Sequence, residues 1–185
     1  MGHISFWLVP SEPYLTDFQA LIDSLAQAYG ATSFLPHVTL QSGPVPASVN
    51  LQQAIAVAVR GIPGFTLDVV GVQQSSVFAK TVFVQLQPSD LLLQLAQQIR
   101  QALPDSAGYQ LNPHLSLLYQ TLEPAVRQEI ADAMVKNQPL GAIAPPAQIA
   151  FNEVQAVAAP DSFQTQADVR QLRCLYRQPL NAESL

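Results

Sequence analysis

Two short peptides of this chain carry the residue types of an acid–base site. "LPHVTL" (35–40) and "NPHLSLLY" (112–119) share one order: proline, histidine, apolar residue, hydroxyl residue, leucine. Alternate side chains of an extended strand point to the same face. His37 and Thr39 then share a face, with Val38 and Leu40 turned the other way; His114 and Ser116 likewise oppose Leu115 and Leu117. If the two faces meet, two imidazoles and two hydroxyls converge on one cleft. Hydrolysis of a phosphodiester needs a proton taken from the attacking water and a proton given to the leaving oxygen. Histidine, with an unperturbed pKa of about 6.5, serves in either protonation state near neutrality. One neutral imidazole can act as base and one imidazolium as acid. The hydroxyls can donate to the non-bridging oxygens, where charge grows in the transition state.

Other chemistries lack their signatures. The chain has no GxSxG, P-loop, GxGxxG, CxxC or HExxH. Histidine and threonine two apart is not a usual zinc pattern. The third histidine, His3, precedes Ile4-Ser5 and repeats the pattern superficially, but it lies outside the repeat and reads as a terminal or tag-like residue. Lys80 is an isolated basic residue that could reach the cleft and neutralise phosphate, but a solvated strand end is its more ordinary reading.

The elements that must hold the two peptides follow from periodicity. "ISFWLV" (4–9) reads as a strand and 14–29 as a helix, with apolar residues at Leu15, Phe18, Leu21, Ile22 and Leu25 and a stop at Gly30. "HVTLQ" is a strand, 51–59 a helix capped by Ser48 or Asn50, and "FTLDVVGV" a strand. The second half repeats this order. It runs as a strand over 76–86, a helix from Ser89 or Asp90 to Pro104, the strand "HLSLLYQ", a helix over 123–137 with Pro124 in its first turn, and strands near 148–158 and 168–178. Pro10-Ser11-Glu12 matches Pro88-Ser89-Asp90 at an offset of 78, and His37 matches His114 at an offset of 77. The expected fold is α+β and bilobal, one domain over 1–185. Its approximate half-repeats, 3–75 and 76–178, are related by a pseudo-twofold. The sheets are mainly antiparallel, with helices outside and a central cleft.

"PHVTL" and "PHLSLLY" resemble the paired HxT/S motifs of the two-histidine (2H) phosphoesterase superfamily, and most nearly its cyclic phosphodiesterases. The early "FWLVP" followed by a helix is similar to that group too. The resemblance runs from about Ile4 to Leu175, strong at the motifs and weak between them. It implies a bilobal fold with the motif strands at its centre. It also implies hydrolysis of nucleoside 2′,3′-cyclic phosphates, or of ADP-ribose 1″,2″-cyclic phosphate. By match to the motifs, His37 and His114 would be the acid–base pair, and Thr39 and Ser116 would bind phosphate. Tyr119 and Trp7 would line the substrate pocket. Tyr119 stands five residues after His114, so simple alternation puts it on the opposite face.

Charge separates the readings. The net charge is −5 and no lysine or arginine cluster occurs. Arg170, Arg173 and Arg177 are spread over eight residues. Tight binding of long nucleic acid rests on many basic phosphate contacts, so a small cyclic nucleotide is the expected substrate. An enzyme acting on RNA 2′,3′-cyclic ends would need a basic groove assembled by folding. A non-catalytic nucleotide-binding module would have no need of two proton-transfer groups. One cysteine, Cys174, permits no internal disulfide and fits a reducing compartment. The N-terminal stretch has no basic lead and only a short apolar run, unlike a signal peptide. No run reaches the roughly 20 apolar residues of a membrane span. The expectation is a cytoplasmic monomer with no metal, no cofactor and no membrane or long nucleic-acid partner.

Overall fold

Strand, helix, strand, helix, strand recurs twice along the chain. The computed structural model describes residues 2–103, 108–135 and 145–181. Their order is β1 (Gly2–Pro10), α1 (Tyr14–Tyr29), β2 (Val38–Val45), α2 (Leu51–Ala58), β3 (Phe65–Gln74), a 3-10 turn over Phe78–Lys80, β4 (Val82–Leu86), α3 (Asp90–Gln101), β5 (His114–Leu118), α4 (Pro124–Val135), β6 (Gln148–Ala159), α5 (Gln166–Val169) and β7 (Arg173–Pro179). The helix ends follow their local chemistry. Gly30, at φ 64°, supplies the left-handed residue that closes α1. Asn50 caps α2 by accepting from Gln53 N at 3.0 Å, and Ser89 caps α3 by accepting from Leu92 N at 3.3 Å. Pro104 and the loop residues 139–144 lie outside the described residues.

Two elements differ from the periodicity. The strand expected over 76–86 begins only at Val82. Ser75 Oγ donates to Lys80 O and accepts from Val77 N, and Thr81 Oγ1 donates to Phe78 O, so hydroxyl-to-backbone bonds coil the segment before it can extend. The strand expected over 168–178 begins at Arg173. Thr165 and Asp168 form a capping box that winds Gln166–Val169 into a helical turn first.

All strand pairings are antiparallel, in the order β1-β2-β5-β4-β3-β6-β7, and β1 also pairs with β6 so that six strands close on themselves. The third strand of each half joins the sheet of the other: β3 pairs with β4, and β6 with β1. The two histidine strands meet at a single pair, Val38 opposite Leu115.

Each histidine strand carries a bulge at the same place. In β1–β2, Phe6 opposes Gln41 while Trp7 opposes Thr39, so Leu40 is the extra residue. In β4–β5, Val82 opposes Leu118 while Phe83 opposes Ser116, so Leu117 is the extra residue. Leu40 and Leu117 each lie three residues after a histidine. A bulge reverses the alternation beyond it, which re-aims whatever follows. Alternation sets the rest. Ile4, Phe6 and Leu8 of β1 enter the main core with Val38, Leu40, Leu115 and Leu117. His3, Ser5 and Trp7 face the other way.

Candidate active site

The prolines before the histidines have a local purpose. Proline restricts the residue before it to extended conformations, and in both motifs the carbonyl of that residue lies beside the histidine ring. His37 Nδ1 donates to Leu35 O at 2.6 Å, and His114 Nδ1 donates to Asn112 O at 2.7 Å. A carbonyl can only accept, so the proton sits on Nδ1 in each neutral ring. Each Nε2 then carries the lone pair that can take or, once protonated, give a proton.

The two rings line one cleft of about 290 Å³. Thr39 and Ser116 line it with them, as do Tyr119 and Trp7. All six residues singled out in the sequence therefore come together. His37 is 6% exposed. Its ring stacks on Trp7 with centroids 3.6 Å apart and planes 8° from parallel, and the Trp7 indole N–H donates to Ser5 Oγ at 2.8 Å. Trp7 thus buttresses a histidine with one face of its ring. At the corresponding place in the second half, Phe83 meets His114 edge-on at 5.5 Å. Ser116 Oγ donates to Ala79 O at 2.8 Å, and Tyr109 Oη donates to the main-chain oxygen of Thr39 at 3.2 Å.

Tyr119 reaches the cleft because of the bulge at Leu117, which turns the odd spacing inward. Its hydroxyl lies 3.4 Å from His37 Nε2, and its ring stacks on Phe34 at 3.7 Å. Burial raises its phenol above the ordinary range, so it stays protonated and donates to that nitrogen. Ser42 holds the equivalent place in the first half, five residues after His37 and beyond the bulge at Leu40, and it too lines the cleft.

Two expectations are corrected here. His3 is no terminal appendage: it lies on β1, lines the cleft, and its Nε2 is 2.9 Å from Ser42 Oγ. Trp7 carried the signal that could have found it, since His3 and Ser5 share the Trp7 face by alternation. Lys80 is not a solvated strand end. It lines the cleft from the 3-10 turn, with Nζ 4.3 Å above the Phe83 ring.

The electrostatics of the cleft hold both imidazoles neutral. Burial pushes His37 down to about 3; the Leu35 carbonyl opposes the shift and His114 adds to it. Burial also lowers His114, with the Asn112 carbonyl opposing and Lys80 contributing to the lowering. Lys80 is itself lowered by burial. An anion entering the cleft stabilises protonated imidazole. Among the described residues no group of three or more histidine, cysteine or carboxylate side chains is arranged to hold a metal. No helix of the described residues is long and apolar enough to cross a membrane. A larger recess of about 460 Å³ lies beyond Trp7, edged by Glu12, Glu153 and Arg177, and contains no histidine.

A family model described as cyclic phosphodiesterase-like protein matches residues 1–156. A cyclic phosphodiesterase of Arabidopsis thaliana is 26% identical over 118 residues, which are 64% of this chain and 65% of the relative, so the match spans just under two thirds of that protein's length. Among solved structures, a phosphoesterase superposes with a TM-score of 0.58 at 22% identity, covering 97% of this chain and 99% of the other. E. coli LigT complexed with 3′-AMP superposes with a TM-score of 0.56 at 20% identity, covering 97% and 98%. At these identities the structural likeness is one of fold: an α+β architecture with a seven-stranded antiparallel sheet.

Proposed function

The chain belongs to the cyclic phosphodiesterase-like family, and from that premise we propose that it hydrolyses a small cyclic phosphodiester, a nucleoside 2′,3′-cyclic phosphate or ADP-ribose 1″,2″-cyclic phosphate, with His37 and His114 as a metal-independent acid–base pair. The observation that carries this reading is the matched anchoring of the two rings. Each gives its Nδ1 proton to the carbonyl two residues back, and both line one cleft.

The steps follow from that arrangement. The substrate brings one negative charge into the cleft, which raises the affinity of a neighbouring imidazole for a proton. One ring enters the reaction protonated at Nε2 and the other neutral. The neutral Nε2 removes a proton from water as its oxygen bonds to phosphorus. The protonated Nε2 gives its proton to the ring oxygen as the strained P–O bond breaks. The product is a phosphomonoester and a free hydroxyl, and the two imidazoles have exchanged protonation states. Thr39 and Ser116 donate to the non-bridging oxygens, for which the Ser116 hydroxyl turns away from Ala79 O. Such donors are worth most where water is excluded. Lys80 adds positive charge at the wall. The cleft volume of about 290 Å³ is at the small end for ligand sites and suits a small ligand rather than a long chain.

The test is incubation with 2′,3′-cyclic AMP in the presence of EDTA, with identification of the product. Hydrolysis that persists in the chelator, and falls at least about 10²-fold in both His37→Ala and His114→Ala, is the expected result. Dependence on added metal, or a wild-type rate in either variant, refutes the mechanism.

A further inference from the structure

The approximate twofold that relates the halves makes the cleft's asymmetry visible. Tyr119 and Ser42 occupy equivalent places, but the tyrosine fills its side and reaches His37, whereas the serine is short and is held by His3. His3 Nδ1 lies 3.9 Å from Asp161 Oδ1, and Asp161 also lines the cleft. Ser42, His3 and Asp161 thus form a row at the cleft wall that neither motif requires.

At 3.9 Å the Asp161 carboxylate is an electrostatic neighbour of Nδ1 rather than a hydrogen-bond partner, and it favours the tautomer with its proton on Nδ1 over the one with its proton on Nε2. In that tautomer Nε2 accepts a hydrogen bond from the Ser42 hydroxyl. The lone pairs of Ser42 Oγ remain to accept from a ligand, and the exposed Asp161 carboxylate is an acceptor as well. A corner built of acceptors suits a hydroxyl group; a phosphate oxygen, itself an acceptor, would face a carboxylate. Ser42 is three residues along β2 from Thr39, less than about 10 Å at strand spacing. That is within reach of the far end of a sugar whose cyclic phosphate lies at Thr39.

We propose that Ser42, positioned by His3 and Asp161, accepts a hydrogen bond from a sugar hydroxyl of the substrate, which in a nucleoside 2′,3′-cyclic phosphate is the 5′-hydroxyl. The assignment rests on the phosphodiesterase reading above and narrows it: it selects substrates with a free hydroxyl there over those bearing a further phosphate. Ser42 contacts the substrate; His3 is a positioning residue.

The experiment compares kcat/KM for three compounds: 2′,3′-cyclic AMP, its 5′-deoxy analogue and its 5′-phosphorylated analogue. The wild-type protein prefers the hydroxyl over the deoxy compound by about three- to tenfold, the factor one neutral hydrogen bond supplies. In Ser42→Ala that ratio collapses to about one, and in His3→Gln it shrinks. Partial unfolding of a variant lowers both rates together and does not move the ratio. Asp161→Asn improves relative use of the 5′-phosphorylated compound. Calorimetric binding of adenosine 2′-phosphate and its 5′-deoxy analogue gives the same ratio without turnover. An equal loss on both compounds in Ser42→Ala, or no wild-type preference, overturns the proposal. So does a preference for the 5′-phosphate that His3→Gln abolishes, which would make the corner an anion site. Turnover without selectivity sinks this assignment alone; no turnover of any compound sinks the phosphodiesterase reading beneath it.

Discussion

The neutral burial of His37 makes stability depend on acid in a calculable way. The folded imidazole is held down to about 3 against an ordinary value of 6.5. Between those limits the unfolded chain binds a proton that the folded chain refuses. Stability is therefore whole above pH 6.5 and is lost as pH falls toward 3. At pH 5 an unfolded imidazole is protonated by about thirty to one, which costs the fold about 2 kcal/mol relative to pH 7.5. Carboxylates also titrate on the way, so the quantity to follow is the difference between wild type and His37→Gln. Urea unfolding at pH 7.5, 6.5, 5.5 and 5.0 gives it. The difference moves by about 2 kcal/mol in favour of the variant across this range, with most of the change below pH 6.5. Adding adenosine 2′-phosphate weakens the dependence, because a bound anion restores the imidazole's hold on a proton. A difference constant with pH would mean that His37 accepts its proton as readily folded as unfolded, and the argument from burial would fail.

Lys80→Met removes the charge that helps to lower His114; the limb of the pH–rate profile set by that ring should move to higher pH, and KM for the anionic substrate should rise. An unmoved limb would separate Lys80 from the site. Trp7→Ala deletes a side chain only 6% exposed and the ring on which His37 stacks, and should destabilise the fold by about 3–5 kcal/mol in thermal or urea unfolding. Trp7→Phe keeps an aromatic face and should recover most of that loss; a variant with alanine as stable as wild type would contradict the packing described.

Much of the site was legible in the chain because alternation in a strand is a strong rule. His37 with Thr39, and His114 with Ser116, needed only period two, and the convergence of the pairs needed only the repeated order of elements. The bulges were not legible. Leu40 and Leu117 look like ordinary core leucines, yet the register shift at each decides that Ser42 and Tyr119 face the cleft. Lys80 was misjudged because hydroxyl-to-backbone bonds from Ser75 and Thr81, which no periodicity records, curl 78–80 into a turn beside the wall. His3 was misjudged through its position near the chain start, although its spacing from Trp7 already placed it. The helical turn at 166–169 was written in Thr165 and Asp168 as a capping pattern, but the apolar residues after it read as strand.

The exchange of third strands bears on how this molecule can move. Because β3 is bonded to β4 and β6 to β1, neither half owns a complete sheet, and the described strands join the halves on both sides. The two histidine strands touch directly at one pair, Val38 and Leu115, and the rest of the link between the imidazoles runs through the other strands of the ring. Hinging the halves apart would break the β3–β4 and β6–β1 pairing, so the spacing of the two rings is one the backbone already holds.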